Sequence, residues 1–147
     1  MVRRLLRTES DVAPLIARVA LGVVILPHGL QKLLGLYGGA GFSGTMDFFV
    51  QQGMPSAIAF LVIVGESFGA AGLILGFITR LCSLGITLIM LGAVFMVHQQ
   101  HGFFMNWYGQ KGGEGFEYHI LAIGLGLISL IKGGGALSVD RAITGEG

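Results

Sequence analysis

The sequence predicts an all-α integral membrane protein, an antiparallel four-helix bundle with both termini in the cytoplasm. Charge is scarce: 12% of the 147 residues are Asp, Glu, Lys or Arg, against about 25% in a typical soluble domain. Apolar residues make up 53%, and the mean hydropathy is +0.78. Four apolar segments alternate with polar or glycine-rich connections, and Lys and Arg gather on one side of them. So few charges do not coat a water-soluble globule of this size. Lipid requires each spanning segment to satisfy its own backbone, which favours helices where the alternation of a barrel is absent. No linker-like stretch divides the chain, so residues 1–147 are read as one domain.

The first helix is expected over residues 12–34. Arg3, Arg4 and Arg7 precede it as they would a signal peptide. The apolar run is longer than a signal h-region, however, and no A-x-A site follows, so a retained helix is expected. Its end, LPHGLQKLLG at 26–35, places Pro27, His28, Gln31 and Lys32 in an otherwise apolar segment. Spacings of three and four put His28, Gln31 and Lys32 on one helix face, and at about 100° per residue Arg18 falls within the same arc. That polar face is expected to turn into the bundle.

A glycine-rich loop follows, with a short amphipathic piece around residues 45–52. The second helix is expected over 56–77. Its GESFGAAGLILG places Gly65, Gly69, Gly72 and Gly76 at spacings of four, three and four, a ridge of small residues that lets another helix approach closely. Thr79 and Arg80 are read as a tight turn into the third helix, 81–97, where Gly85 and Gly92 are expected to pack likewise. Cys82 is the single cysteine, so neither an intrachain disulfide nor a C-x-x-C site exists. HQQHGFFMNWYGQKGGEGFE forms a second long loop. The fourth helix, 118–131, is the shortest, with Gly124 as a further packing site. An even number of spans keeps LSVDRAITGEG on the side of the N-terminus.

With that count, Arg3, Arg4, Arg7, Arg80, Lys132 and Arg141 fall on the cytoplasmic side and only Lys32 and Lys111 on the other, the bias expected of a multi-pass protein of the cell inner membrane. The net charge of +1 and the absence of a basic run exclude nucleic acid as a partner; the bilayer itself is the expected one. Trp107, Tyr108, Phe103, Phe104 and Tyr118 gather at the outer interface, where amphipathic rings favour the headgroup level.

The ionisable residues inside the apolar segments are the candidate site. An acid at mid-bilayer costs about 2.5–3.5 kcal/mol even on insertion scales. Glu66 must therefore face protein, hold a proton or meet a cation, with Arg18, Lys32 or a histidine as the partner. All four histidines fall toward the outer side. Glu66, His28 and His98 are the candidate catalytic residues, and Arg18, Gln31, Lys32, His101, Glu117 and His119 the candidate substrate-binding ones.

Three readings stay open on these residues. A quinone or similar phenolic head group would find donors and proton-exchanging groups here. Because the chain has no evident electron carrier, a quinone-linked oxidoreductase would need a partner redox subunit. In the second, the chain is a non-catalytic anchor or assembly subunit of a larger complex. In the third, His98 and His101, an H-x-x-H pair, join His28, His119 or Glu117 to hold a transition metal or haem. No E-x-x-H pair of the di-iron type accompanies them, so no metal ligands are assigned. The glycine faces suit packing within one chain or in a homo-oligomer.

RVALGVVILPHGLQKLLGL (18–36), GMPSAIAFLVIVGESFGAAGLILGFITRL (53–81) and MLGAVFMVHQQHGFF (90–104) together resemble the DoxX family of small four-helix membrane proteins. The similarity covers roughly residues 14–133. Arg18, Gly29, Lys32, Gly53, Pro55, Glu66, Gly76, Arg80 and His98 match the recurring pattern. The resemblance implies the four-helix bundle and an association with quinone-linked thiosulfate oxidation and with responses to quinones, catechols and oxidative stress. It carries no catalytic assignment onto these positions. Some relatives bear paired cysteines suited to thiol exchange, a pattern from which the lone Cys82 departs.

Overall fold

The computed structural model describes Leu6, Thr8 and residues 10–145, and among them the regular elements are all helical. Arg3, Arg4 and Arg7 lie outside the described residues. Helix α1 spans Val12–Leu34, the expected range. The Asp11 side chain caps it, accepting from the Ala13 N–H at 2.9 Å, and Gly35 ends it in the left-handed conformation, φ 71°. Pro27 lies within α1 without ending it. Pro14, Ala17, Arg18, Leu21, Gly22, Ile25 and Gly29 are its buried residues, one stripe at helical spacing.

A short 3₁₀ turn, Leu36–Gly38, leads to α2, Gly41–Gln51. This helix is longer than the piece expected at 45–52. Gly44 inside it costs about 1 kcal/mol of helix propensity, which packing against α1 and the next helix offsets. Helix α3, Ser56–Leu75, contains a π-helical segment, Gly65–Gly69. It stops short of residue 77 because Gly76 turns left-handed, φ 67°.

The turn into α4 is residues 76–78, and Thr79 and Arg80, expected to form it, already belong to the helix. Ile78 there adopts φ 41°, a strained value for a β-branched residue. The Asp140 carboxylate holds it in place, accepting from the Ile78 N–H at 2.7 Å and the Thr79 N–H at 2.8 Å. Helix α4, Thr79–His101, runs past the expected end at 97. It is α-helical to Ala93, π-helical over Val94–His98 and 3₁₀ over Gln99–His101. The polar HQQH stays helical partly because the Gln99 side-chain amide donates to the Phe95 carbonyl at 2.5 Å. Helix α5 is Glu117–Lys132, and α6 is Val139–Thr144.

Cross-helix contacts tie the helix ends together. Arg18, early in α1, reaches the end of α3 and the segment after α5. Arg80 at the start of α4 donates to the Leu130 and Ile131 carbonyls at the end of α5, at 2.5 and 2.8 Å. His98 at the end of α4 meets His119 at the start of α5. α1, α3, α4 and α5 all contribute to a core of Leu21, Ile25, Ala70, Leu73, Cys82, Ile86, Met90 and Ala122.

Gly65, Gly69 and Gly72 form the expected packing ridge: a Cβ at these positions would meet Ile89, Ile86 and Cys82 of α4. Gly85, Gly92 and Gly124 do not pack against another helix within the chain. Nothing lies within 4 Å of a Cβ built on them, because on α4 the buried stripe runs through Cys82, Ser83, Ile86, Thr87 and Met90 instead.

α1, α3 and α4 are long and apolar enough to cross a membrane. Their outward residues, among them Val23, Phe68, Leu88 and Phe95, are exposed and apolar, where a helix facing water would be polar. α5 has 16 residues, about 24 Å at ~1.5 Å per residue, shorter than a ~30 Å hydrocarbon core.

Candidate functional site

The polar residues of the interior separate into two groups at opposite ends of α1. At the first end, Arg18 is 1% exposed and donates five hydrogen bonds, all to backbone carbonyls. Nε bonds Gly134 at 2.7 Å, Nη1 bonds Leu73 at 2.9 Å and Ile74 at 2.5 Å, and Nη2 bonds Ala136 at 3.2 Å and Leu137 at 2.9 Å. The Leu73 and Ile74 carbonyls belong to the last turn of α3, where helical partners run out; Leu73 accepts in addition from the Gly76 N–H at 3.2 Å. Asp140, also 1% exposed, lies within electrostatic reach of Arg18 and anchors the turn into α4. The guanidinium thus ties α1, α3 and the segment after α5 together.

The second group surrounds Glu66. Lys32 Nζ donates to Glu66 Oε2 at 2.5 Å, with side chains 24% and 8% exposed respectively. Two local features create this pair. Glu66 lies in the π segment Gly65–Gly69, and a π turn widens the helix and re-aims its side chains. Gly29, one turn before Lys32, lies against the backbone of Glu66 and Ser67, and a Cβ there would overlap those atoms. α1 therefore approaches α3 backbone to backbone at this level, and Lys32 follows directly over the carboxylate. Pairing in place strongly reduces the cost of keeping either charge in an apolar surrounding.

Three buried polar atoms of this half of the protein lack a hydrogen-bond partner: Ser67 Oγ, next to Glu66 in the chain, Tyr118 OH, and His119 Nδ1, whose ring lies 5.3 Å from that of Tyr118. Tyr118 lies within electrostatic reach of Glu66. The His119 ring lies 4.1 Å from that of His98, centroid to centroid, and both His98 and His28 act electrostatically on His119. His98 falls in the second π segment, Val94–His98, so the two widened turns carry two of the expected site residues. Buried donors and acceptors are seldom left unpaired.

Two open clefts border these residues. One, about 280 Å³, is lined by Gln31, Lys32, Thr45, Phe48 and Phe49, with α2 as its outer wall. The other, about 410 Å³, is lined by Phe103, Trp107, Glu117, Tyr118 and Leu121. Aromatic and aliphatic walls with a few polar groups are the usual lining of a small-molecule site.

The remaining expected residues hold the surroundings. Gln31 donates to the Tyr37 carbonyl at 3.3 Å. The Glu117 carboxylate accepts from the Met105 N–H at 2.9 Å and from Trp107 Nε1 at 3.2 Å. His101 packs its ring on Gly113. His98 Nδ1 lies 2.9 Å from the Glu114 carbonyl, and His28 is exposed on α1. No group of three His, Cys, Asp or Glu converges as metal ligands among the described residues. Tyr118, Ser67 and Asp140 were not singled out from the sequence as site or anchoring residues. Only Asp140 had a signal, in the Ser138-initiated helix start that places it in a first turn.

A family model named DoxX matches residues 13–99. Among curated proteins, the "Putative oxidoreductase CatD" of Bacillus subtilis (strain 168) is 28% identical over 111 residues, 76% of this chain and 73% of its own length. Two proteins of Escherichia coli (strain K12) are also similar. The "Inner membrane protein YqjF" is 27% identical over 134 residues, 91% of this chain and 94% of its own. The "Inner membrane protein YphA" is 29% identical over 132 residues, 86% and 87%. No solved structure matches significantly.

Proposed function

The chain belongs to the DoxX family of membrane proteins, and on that premise we propose that it binds a quinone or phenolic head group at the Lys32–Glu66 pair, serving quinone-linked redox metabolism or protection against quinone and oxidative stress. In this reading it is a multi-pass protein of the bacterial inner membrane, four antiparallel helices with both termini cytoplasmic. Support for that placement comes from the inner-membrane names of two relatives. Arg80, Lys132 and Arg141 also share one end, while Lys32 and Lys111 lie at the other, the asymmetry of the positive-inside rule. α5 is then a short fourth span beside longer neighbours. The oxidoreductase in the name of a third relative supports the redox assignment.

The observation that carries the ligand is a paired ammonium and carboxylate with unpartnered buried hydroxyls near the carboxylate, Ser67 Oγ on the next residue and Tyr118 OH within electrostatic reach. A quinone offers two carbonyl oxygens, which need donors, and its reduction takes up two electrons and two protons. Lys32, Tyr118 and Ser67 supply the donors. Glu66 and Lys32 hold and return protons at Oε2 and Nζ, and the aromatic cleft beside Tyr118 offers the ring an apolar wall. The electrons come from a partner redox subunit.

Equilibrium binding of decylubiquinone to the purified protein tests this. Glu66→Gln is expected to weaken binding by about tenfold or more, the loss of one charge-assisted contact, while helix content stays unchanged. Unaltered binding in that variant rejects the assignment. One observation favours a second reading, a non-catalytic anchor or assembly subunit: the Lys32–Glu66 pair also stitches α1 to α3. In that case Glu66→Gln lowers the unfolding midpoint and no quinone binds the parent protein.

A further inference from the structure

α4 carries a pattern that packing alone does not require. Thr79, Ser83 and Thr87 recur every four residues on its buried stripe, at 0%, 0% and 5% exposure. None of their hydroxyls has a hydrogen-bond partner. A buried Ser or Thr in a helix commonly donates to the carbonyl one turn earlier, as Ser129 does to Leu125 at 3.1 Å. Three successive hydroxyls left unpaired in an apolar surrounding are costly.

Their positions link the two polar groups. At the lower end, Thr79 N–H bonds Asp140 at 2.8 Å. At the upper end, cross-helix contacts set the level: Gly72 faces Cys82, Gly69 faces Ile86 and Gly65 faces Ile89. Glu66 and Ser67 therefore stand at the height of Thr87 and the turn above it. Ser67 Oγ is itself buried and unpartnered. On α5, Gly126 lies against Thr87 Oγ1, and any side chain there would overlap that oxygen. Four residues of helix rise about 6 Å, close to two hydrogen bonds of ~2.8 Å. A water bridging successive hydroxyls would satisfy both.

We propose that Thr79, Ser83 and Thr87, with water held between them, form a proton path from Asp140 to Glu66. The proposal rests on the membrane-spanning placement of α4 given above and is independent of quinone binding. A proton enters from the side of Asp140. Each hydroxyl accepts one proton and passes on another, so the file stays neutral, and the proton ends on the Glu66 carboxylate. No electron or co-reactant takes part. The groups facing that terminus are Lys32 and Tyr118; His119 lies against Tyr118, and His98 and His28 are within its electrostatic reach. The Lys32 ammonium repels an arriving proton and keeps the resting path closed to the far side.

The test uses the full chain in phosphatidylcholine vesicles with an entrapped pH dye and a potassium diffusion potential. Lys32→Met is expected to speed proton entry over wild type by about tenfold or more, a change that ~1.4 kcal/mol off the barrier produces. Adding Ser83→Ala and Thr87→Val is expected to return the rate to that of wild type. Vesicles of Lys32→Met no leakier than wild type, or a leak that survives the added substitutions, overturn the proposal. Should the variants not fold, solid-state NMR of the wild-type protein in bilayers reads the path directly. Magnetisation from water is expected at Thr79, Ser83 and Thr87, and dry hydroxyls overturn it. A leak that follows this pattern alongside failed decylubiquinone binding would reject the ligand and leave the path.

Discussion

Arg18→Ala removes the donor of five hydrogen bonds and leaves five carbonyls behind, two at the end of α3 and three in the segment after α5. At ~1.5 kcal/mol for each bond from a charged group, the simple sum is about 7.5 kcal/mol. Bonds from one guanidinium are not additive, and water reaches some of the freed carbonyls. The comparison with other broken buried charge networks gives about 3–5 kcal/mol. Arg18→Lys separates charge from geometry. An ammonium has three donors and no planar fork, so it keeps at most three of the five bonds, and a loss of about 2 kcal/mol is expected. Equilibrium unfolding of the purified protein in mixed micelles, followed by circular dichroism, measures both. Decylubiquinone binding per folded molecule is expected to be unchanged in Arg18→Lys, since Arg18 and Lys32 stand at opposite ends of α1. A Lys variant as stable as wild type, or an Ala variant within about 1 kcal/mol of it, refutes the reasoning from five directed bonds. A selective loss of ligand binding at full stability would restore Arg18 to the substrate-binding group.

Gly29→Ala is expected to destabilise by about 1–3 kcal/mol, because the methyl meets backbone that has little room to move. Gly92→Ala, with nothing near the added carbon, is expected to gain up to ~1 kcal/mol of helix propensity in the same assay. Tyr118→Phe removes a hydroxyl that has no protein partner; unfolding should shift by less than about 0.5 kcal/mol, while decylubiquinone binds about two- to tenfold more weakly, the equivalent of one hydrogen bond. With Cys82 replaced by Ala, Lys111→Cys is expected to react with an impermeant maleimide added to intact cells, and Arg141→Cys only after the cells are permeabilised. Labelling of both from one side would overturn the proposed orientation.

Much of the helical layout was legible because lipid imposes a coarse rule: long apolar runs broken by glycine and charge. The approximate range of α1, about 12–34, follows from its apolar run; its exact ends are set by the caps at Asp11 and Gly35, which that run does not show. The errors fell where local backbone decides. The turn after α3 sits at Gly76–Ile78 (residues 76–78), where a strained isoleucine is held by an aspartate 62 residues away, and no local signal announces such a partner. α4 continued through HQQH because a widened turn and a side-chain amide sustain it, features with no composition of their own. Lys32 was one of several partners considered for Glu66. Choosing it required knowing that Gly29 brings α1 onto the α3 backbone. Arg18 carried no sequence clue to its role, because everything it touches is main chain.

Both widened turns hold one residue more than the ordinary helical turn they replace. Each therefore behaves as a built-in insertion, and the faces on either side of it differ in phase by about 100°. Deleting a single residue from Gly65–Gly69 would restore a regular helix and swing Glu66 away from Lys32. Lineages in which this segment is one residue shorter would keep every apolar run and still lack the site. The history of this chain's chemistry is then better traced by the lengths of its helices than by the identity of their residues.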